Sequence, residues 1–251
     1  MTEKQLFFVN FVLYVAIFRA ENIAKSMMTR AIVFVNGLIS DYGGLKELLR
    51  PDDLLIGADG GARHALAVGR LPHIVVGDMD SLSTAEVAQF EAQGVVLERH
   101  RPEKDQTDLE LAIERAIAEG AREILLVGAQ GNRLDQSIAN LLILAQRDWP
   151  ASICVVDGAQ SVRVLRRDQT ITLVGAPGDV VSAIPLSPLV TGITYRGLRY
   201  PLENAELPFG STRGISNELA AASGTISISG GLLLVTHIRY YNSRREEGSR
   251  D

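Results

Sequence analysis

From Ala31 to Val156 the chain repeats one pattern: a short run rich in Val, Ile and Leu, then a segment of helical periodicity, then another short run. This alternation constrains the fold more than any other feature. Strands joined by helical crossovers build a mostly parallel sheet with helices on its faces. Strands are expected at residues 31–36, 53–58, 73–76, 95–99, 123–127 and 153–156, with helices over 44–49, 61–68, 84–93, 108–119 and 134–147. In the last helix Leu134, Ile138, Leu141, Leu142 and Ala145 share one stripe, the spacing of a core-facing surface.

After Asp157 the texture changes. Residues 161–165, 170–174, 179–184, 190–195, 224–229 and 232–237 read as strands separated by turns, with no strongly periodic helix among them. The expected fold class is therefore α/β: a mostly parallel sheet flanked by helices, followed by an all-β sandwich domain. The expected layout is an α/β domain over 28–157, a β-sandwich over 158–241 and a solvated polar tail over 242–251. Residues 1–27 carry an apolar run at 6–18, shorter than the ~20 residues that cross a bilayer. Three readings of that run stand: a non-native or mis-started extension ahead of Met27-Met28, a membrane-associating or cleaved leader, and an extra packing segment. Stable membrane insertion is not expected.

Composition narrows the function. The net charge of −5, without a long basic run, lacks the electrostatic footprint of a nucleic-acid binder. A lone cysteine, Cys154, excludes an intramolecular disulfide framework, and His64, His73, His100 and His237 show no metal-pair spacing. A folded, reduced, soluble enzyme or binding protein is the class these counts favour, and a cytoplasmic location is expected.

Four polar motifs follow the ends of expected strands, where open parallel sheets bind their ligands. The first, Asp59-Gly60-Gly61, offers close backbone approach ahead of a helix start, or simply a strand–turn–helix link. In the second, Gly77-Asp78-Met79-Asp80-Ser81, two carboxylates after a buried strand need something positive to meet them. Magnesium, which takes one or two protein carboxylates and substrate phosphates, suits that pair. The plainer alternative is that Asp80 or Ser81 turns the chain or caps the helix beginning at Thr84. The third motif, Lys104-Asp105-Gln106-Thr107-Asp108, contains a Thr107–Glu110 capping box, which leaves Lys104 and Asp105 unexplained. The fourth, Gly128 to Gln136, pairs a glycine-rich turn with Arg133, whose planar fork suits phosphate but equally suits neighbouring Asp135.

Together these residues make the chemistry of a magnesium-bound polyphosphate, with acids for the metal and arginine and N–H groups for phosphate oxygens. No Walker A sequence, Gly-x-Gly-x-x-Gly fingerprint or protein-kinase signature occurs at these turns. The residues alone leave three classes open: a phosphoryl-group transferase, a Mg²⁺-dependent phosphohydrolase, and a non-catalytic sensor.

The ordered set Asp59-Gly60-Gly61, Gly77-Asp78-Met79-Asp80-Ser81, Asp105-Gln106-Thr107-Asp108 and Gly131-Asn132-Arg133-Leu134-Asp135 resembles the thiamine pyrophosphokinase (thiamine diphosphokinase) family. Gly192-Ile193-Thr194-Tyr195, Tyr200-Pro201-Leu202, Gly214-Ile215-Ser216-Asn217-Glu218 and Gly230-Gly231-Leu232 extend the likeness, which runs from about Ala31 to His237. Gln136 stands where many bacterial members carry histidine.

The resemblance implies pyrophosphoryl transfer from ATP to the hydroxyethyl oxygen of thiamine, giving thiamine diphosphate and AMP, by a homodimer using Mg²⁺. It implies Asp78, Asp80 and Asp108 as metal and catalytic acids, with Asp59, Gly60 and Gly61 beside the phosphates. Arg133 would grip the polyphosphate, supported by Gln106, Thr107 and Asp135. Ser216 and Asn217 would help form the thiamine pocket. Tyr195, Tyr200 and Phe209 are the aromatic candidates for a thiamine platform.

Overall fold

The computed structural model describes residues 30–239 apart from 102 and 104. The apolar segment at 1–27, Lys104 and the polar tail at 242–251 lie outside the described residues. Two compact units divide the chain, the first holding residues 30–34, 47–125 and 150–152, the second 35–46, 126–149 and 153–239.

In the first unit the strands β1 (Arg30–Phe34), β2 (Leu54–Ala58), β3 (Ile74–Gly77) and β4 (Val96–Arg99) pair side by side in parallel. The sheet order is β5-β1-β2-β3-β4, with β5 at Glu123–Val127. Every residue of β1, β2 and β3 is buried, as the near-continuous apolar runs of a two-sided parallel sheet require. Helix α1 (Tyr42–Leu48) lies mostly in the second unit; the helices of the first are α2 (Ala62–Ala67), α3 (Thr84–Ala92) and α4 (Asp108–Ala118). Helix α4 buries Leu109, Ala112, Ile113 and Ala116 on one face and packs on β1, β2 and β3. At the opposite end of the strands Arg30 donates to both Asp53 oxygens, each at 2.7 Å, and to the Leu48 carbonyl at 2.8 Å. Both side chains are buried, so this pair locks the start of β1 to the start of β2.

The second unit contains α5 (Leu134–Gln146), β6 (Ser152–Asp157), β7 (Gln160–Leu165), β8 (Thr170–Val174), β9 (Val180–Pro185), β10 (Leu189–Arg196), β11 (Ala205–Pro208), β12 (Asn217–Glu218), β13 (Ser223–Ser227) and β14 (Leu233–Ile238). One antiparallel run is β12-β9-β14-β7-β6; a separate sheet is β11-β10-β13-β8. Leu165, Val181, Leu233 and Val235 of the first run share a core with Leu173, Val190, Ile193, Tyr195, Leu207 and Ile226 of the second, which is sandwich packing.

One expectation fails on α5. Leu134, Ile138 and Leu142 are not core-facing: they are 71%, 48% and 46% exposed, and Ile143 and Leu144 carry the buried contacts instead. The helix is apolar on more than one face, so its periodicity fixed a stripe but not the side that packs.

No helix among the described residues is long and apolar enough to cross a membrane.

Candidate active site

Three acids converge where β2 and β3 end. The chain leaves β2 through a single 3₁₀ turn, Asp59–Gly61, and Asp59 takes a left-handed backbone with φ +48°. It leaves β3 through Gly77-Asp78-Met79-Asp80, with Met79 at φ +65°. Met79 is buried with Val75, Leu82 and Phe90, an anchor that keeps the two flanking carboxylates at the surface. Non-glycine residues in this conformation cost on the order of 1–3 kcal/mol and gather at functional sites. One carboxylate oxygen each from Asp59, Asp78 and Asp80 lies within 4.8 Å of the others.

Gly77 makes the convergence possible. A Cβ on it would meet Asp59 Cβ at 3.0 Å and the Asp108 carboxyl at 3.2 Å. Asp108 opens α4, and its carboxyl stands beside Asp59 at that same glycine. Asp59 is only 6% exposed, and its Oδ1 has no hydrogen-bond partner among the described residues. Burial raises its pKa above the usual carboxylate range; hydrogen bonds from Ser81 and the Gly60 N–H oppose the rise, while the charges of Asp108 and Asp80 add to it.

This donor set fits a small hard cation. It consists of carboxylate oxygens only, and one buried oxygen lacks a partner among the described residues. The nearby guanidinium of Arg63 is otherwise engaged, donating to the Ser81 carbonyl at 2.6 Å and to both oxygens of Glu86. That pairing, with help from Ser83, holds the Glu86 carboxyl down to about 2.

Helix starts surround the acids. Ser83 caps α3 through a complete box with Glu86, so the cap lies at Ser83 rather than at Asp80 or Ser81. Thr107 caps α4, accepting from the Glu110 N–H at 3.2 Å. The Glu110 carboxylate also accepts from Gln106 Nε2 at 3.2 Å.

The remaining sequence-selected residues belong to the second unit. Arg133 precedes α5 and grips Asp135 through Nε at 2.9 Å and Nη2 at 2.6 Å, with both side chains exposed. Asn140 donates to the Ala129 carbonyl at 2.8 Å and Ser137 Oγ accepts from the Gly131 N–H at 3.1 Å, so the glycine-rich turn is pinned by its own helix. Gly37 donates to the Gly128 carbonyl at 2.9 Å and Leu38 to the Gln130 carbonyl at 2.6 Å. Ser216 is left-handed at φ +61°, and its N–H donates to Ser182 Oγ. The Asn217 amide accepts from the Tyr200 N–H at 3.0 Å and donates to the Tyr200 carbonyl at 2.7 Å. Tyr195 is buried in the sandwich core, whereas Tyr200 and Phe209 are exposed.

The sequence reading missed Arg63 and Glu86. Ser83-x-x-Glu86 is itself a capping signature, but nothing in sequence ties it to an arginine 23 residues earlier.

Comparison with known proteins agrees in both units. Residues 45–156 match the family model "Thiamin pyrophosphokinase, catalytic domain", and residues 166–233 match "Thiamin pyrophosphokinase, vitamin B1 binding domain". The thiamine pyrophosphokinase of Bacillus subtilis (strain 168) is 31% identical over 202 residues, covering 77% of this chain and 94% of that protein. The crystal structure of a B. subtilis thiamine pyrophosphokinase superposes with a TM-score of 0.75 at 29% identity, over 84% of this chain and 99% of that one. That of the Geobacillus thermodenitrificans thiamin pyrophosphokinase gives 0.72 at 32% identity, over 86% and 99%.

Proposed function

The chain belongs to the thiamine pyrophosphokinase family, and from that premise we propose how its own residues divide the work of moving a pyrophosphoryl group from ATP to thiamine. Asp59, Asp78, Asp80 and Asp108 would hold Mg²⁺; the Oδ1 of buried Asp59, without a partner among the described residues, is the single observation that carries this assignment. The chemistry the ion supplies when bound is neutralisation of polyphosphate charge. Gly60 and Gly61 keep the backbone open beside the phosphates, and Gln106 and Thr107 fix the start of the helix that presents Asp108.

Arg133 takes phosphate oxygens. Its pair with Asp135 is solvent-exposed and screened, so a multiply charged phosphate can displace the carboxylate, and Asp135 keeps the fork oriented until then. In the reaction the thiamine hydroxyethyl oxygen attacks the β-phosphorus in line. That O–P bond forms as the bond from Pβ to the α-phosphate oxygen breaks, AMP departs, and the hydroxyl proton is released. Catalysis is mostly positioning and electrostatic stabilisation of the transferred group.

Thiamine is assigned to the β-sandwich, through Ser216 and the Asn217–Tyr200 pair, where Tyr200 keeps an exposed ring while Asn217 holds both its backbone N–H and its carbonyl. We assign the α/β domain to 28–157 and the thiamine-binding domain to 158–241. A homodimer is proposed on the exposed face of α5. Its Leu134, Ile138 and Leu142 form an exposed apolar stripe that a two-fold pairing of the helix with its copy would bury. The lone, buried Cys154 fits a reducing, cytoplasmic setting.

Chelation with EDTA is expected to abolish transfer and Mg²⁺ to restore it. Asp80→Asn is expected to lower turnover by at least ~10²-fold, the scale of losing one preorganised electrostatic group. Near-wild-type turnover of that variant at saturating Mg²⁺ and ATP would remove Asp80 from the assignment.

A further inference from the structure

We propose that Arg63 and Glu86 form a clasp that sets the separation of the Asp59, Asp78 and Asp80 carboxylates before a cation arrives, which makes both of them positioning residues of that site. The inference rests on the divalent-cation reading above. Arg63 lies on α2, one helical turn beyond Asp59. From there its Nη2 donates to the Ser81 carbonyl at 2.6 Å and to Glu86 Oε2 at 2.9 Å, while its Nε donates to Glu86 Oε1. Glu86 Oε2 also accepts from the Ser83 N–H at 2.8 Å and from Ser83 Oγ at 2.7 Å.

The Asp78–Ser83 segment is therefore held at two points, the Ser81 carbonyl and the Ser83 N–H, and both are referenced to the helix that follows Asp59. Buried Met79 anchors the same segment from the inside. Three carboxylates within 4.8 Å repel one another, and an unclasped loop would relax outward. A clasped loop has that ordering in place, so cation binding no longer has to supply it. Glu86 is not itself a candidate ligand, because both of its oxygens are occupied by Arg63 and Ser83.

The sign of one substitution separates this role from simple electrostatics. Arg63 carries positive charge toward an acidic site, so charge alone predicts that Arg63→Met tightens cation binding. A clasp predicts that it weakens. Glu86→Gln breaks the ion pair while keeping a side chain that serves at the third position of a capping box.

The test is titration of Mn²⁺ alone into the full chain, with free Mn²⁺ read by electron paramagnetic resonance and folding checked by circular dichroism. Arg63→Met and Glu86→Gln are each expected to raise the Mn²⁺ Kd about tenfold. The double variant should be no weaker than the worse single, because one clasp is lost only once. A merely structural role would lower the melting temperature and leave Kd in place. Tighter binding by Arg63→Met, or wild-type Kd in either single variant, would overturn the clasp while leaving the cation reading standing. Absence of Mn²⁺ binding by the wild-type chain would overturn both.

Discussion

Replacing Asp59 by Asn should make the metal-free protein more stable and the enzyme nearly inactive. Asp59 is buried, one of its oxygens has no partner, and its carboxylate lies within 4.8 Å of those of Asp78 and Asp80. Two unit charges at that distance repel by about 3 kcal/mol at an effective dielectric constant of about 20. Asp80 is exposed and Asp78 partly so, and water screens both. The net relief is therefore about 1–2 kcal/mol, which corresponds to a rise in Tm of about 3–6 °C for a chain of this size. The effect carries a pH signature. A carboxyl whose pKa is raised by folding contributes stability that is present below its unfolded value of 3.8 and lost as pH rises through the folded value. The wild type should thus fall behind Asp59→Asn progressively from about pH 4 towards neutrality. Thermal melts of EDTA-treated protein across that range, with and without Mg²⁺, provide the assay. Mg²⁺ should raise the wild-type Tm and leave the variant unmoved, and turnover of the variant should drop by at least ~10²-fold. A variant less stable than wild type at pH 7, or a gap that does not widen with pH, would refute the reasoning, because Asp59 would then have a stabilising partner.

Three further perturbations test other parts of the account. Arg133→Ala should reduce kcat/KM for ATP about 10²-fold in steady-state kinetics; an unchanged value would leave Arg133 as a surface partner of Asp135. Arg30→Met strands the buried Asp53 carboxylate and should cost about 3–5 kcal/mol in urea denaturation, and a loss below about 1 kcal/mol would contradict the proposed lock between β1 and β2. Gly37→Ala would put a Cβ 2.2 Å from the Gln130 carbonyl oxygen and 2.3 Å from that of Gly128, both backbone atoms. About 1–3 kcal/mol of destabilisation and a raised KM for ATP are expected, since the turn leading to Arg133 must shift; wild-type melting and KM would show that it need not.

Much of the fold was legible because its strongest signals are local. The apolar runs that became β1, β2, β3 and β5 are buried strands with no competing reading, and Thr107 caps α4 as its type and spacing imply. What was not legible depends on partners distant in sequence. The Leu134–Ile138–Leu142 stripe has helical periodicity, but only the packed structure shows that Ile143 and Leu144 face inward. Strands β11 and β12 are four and two residues long, and Asn217-Glu218 has no apolar alternation to announce it. At the site, the acids were identifiable from their positions after strands. The joining of Asp59 to Asp78 and Asp80, the closeness of Asp108 at Gly77, and the Arg63–Glu86 clasp all arise from adjacent parallel strands ending side by side. The resemblance alone implies Asn217 for the thiamine pocket; that its donor and acceptor engage the Tyr200 backbone, 17 residues away, has no signal in the sequence.

The most direct test of the central claim is product analysis after incubating the protein with ATP, Mg²⁺ and thiamine. Pyrophosphoryl transfer predicts AMP and thiamine diphosphate in one-to-one ratio, with no accumulation of ADP. ADP with thiamine monophosphate would keep the substrates and contradict the transfer step, and inorganic phosphate release without any thiamine product would contradict the assignment altogether.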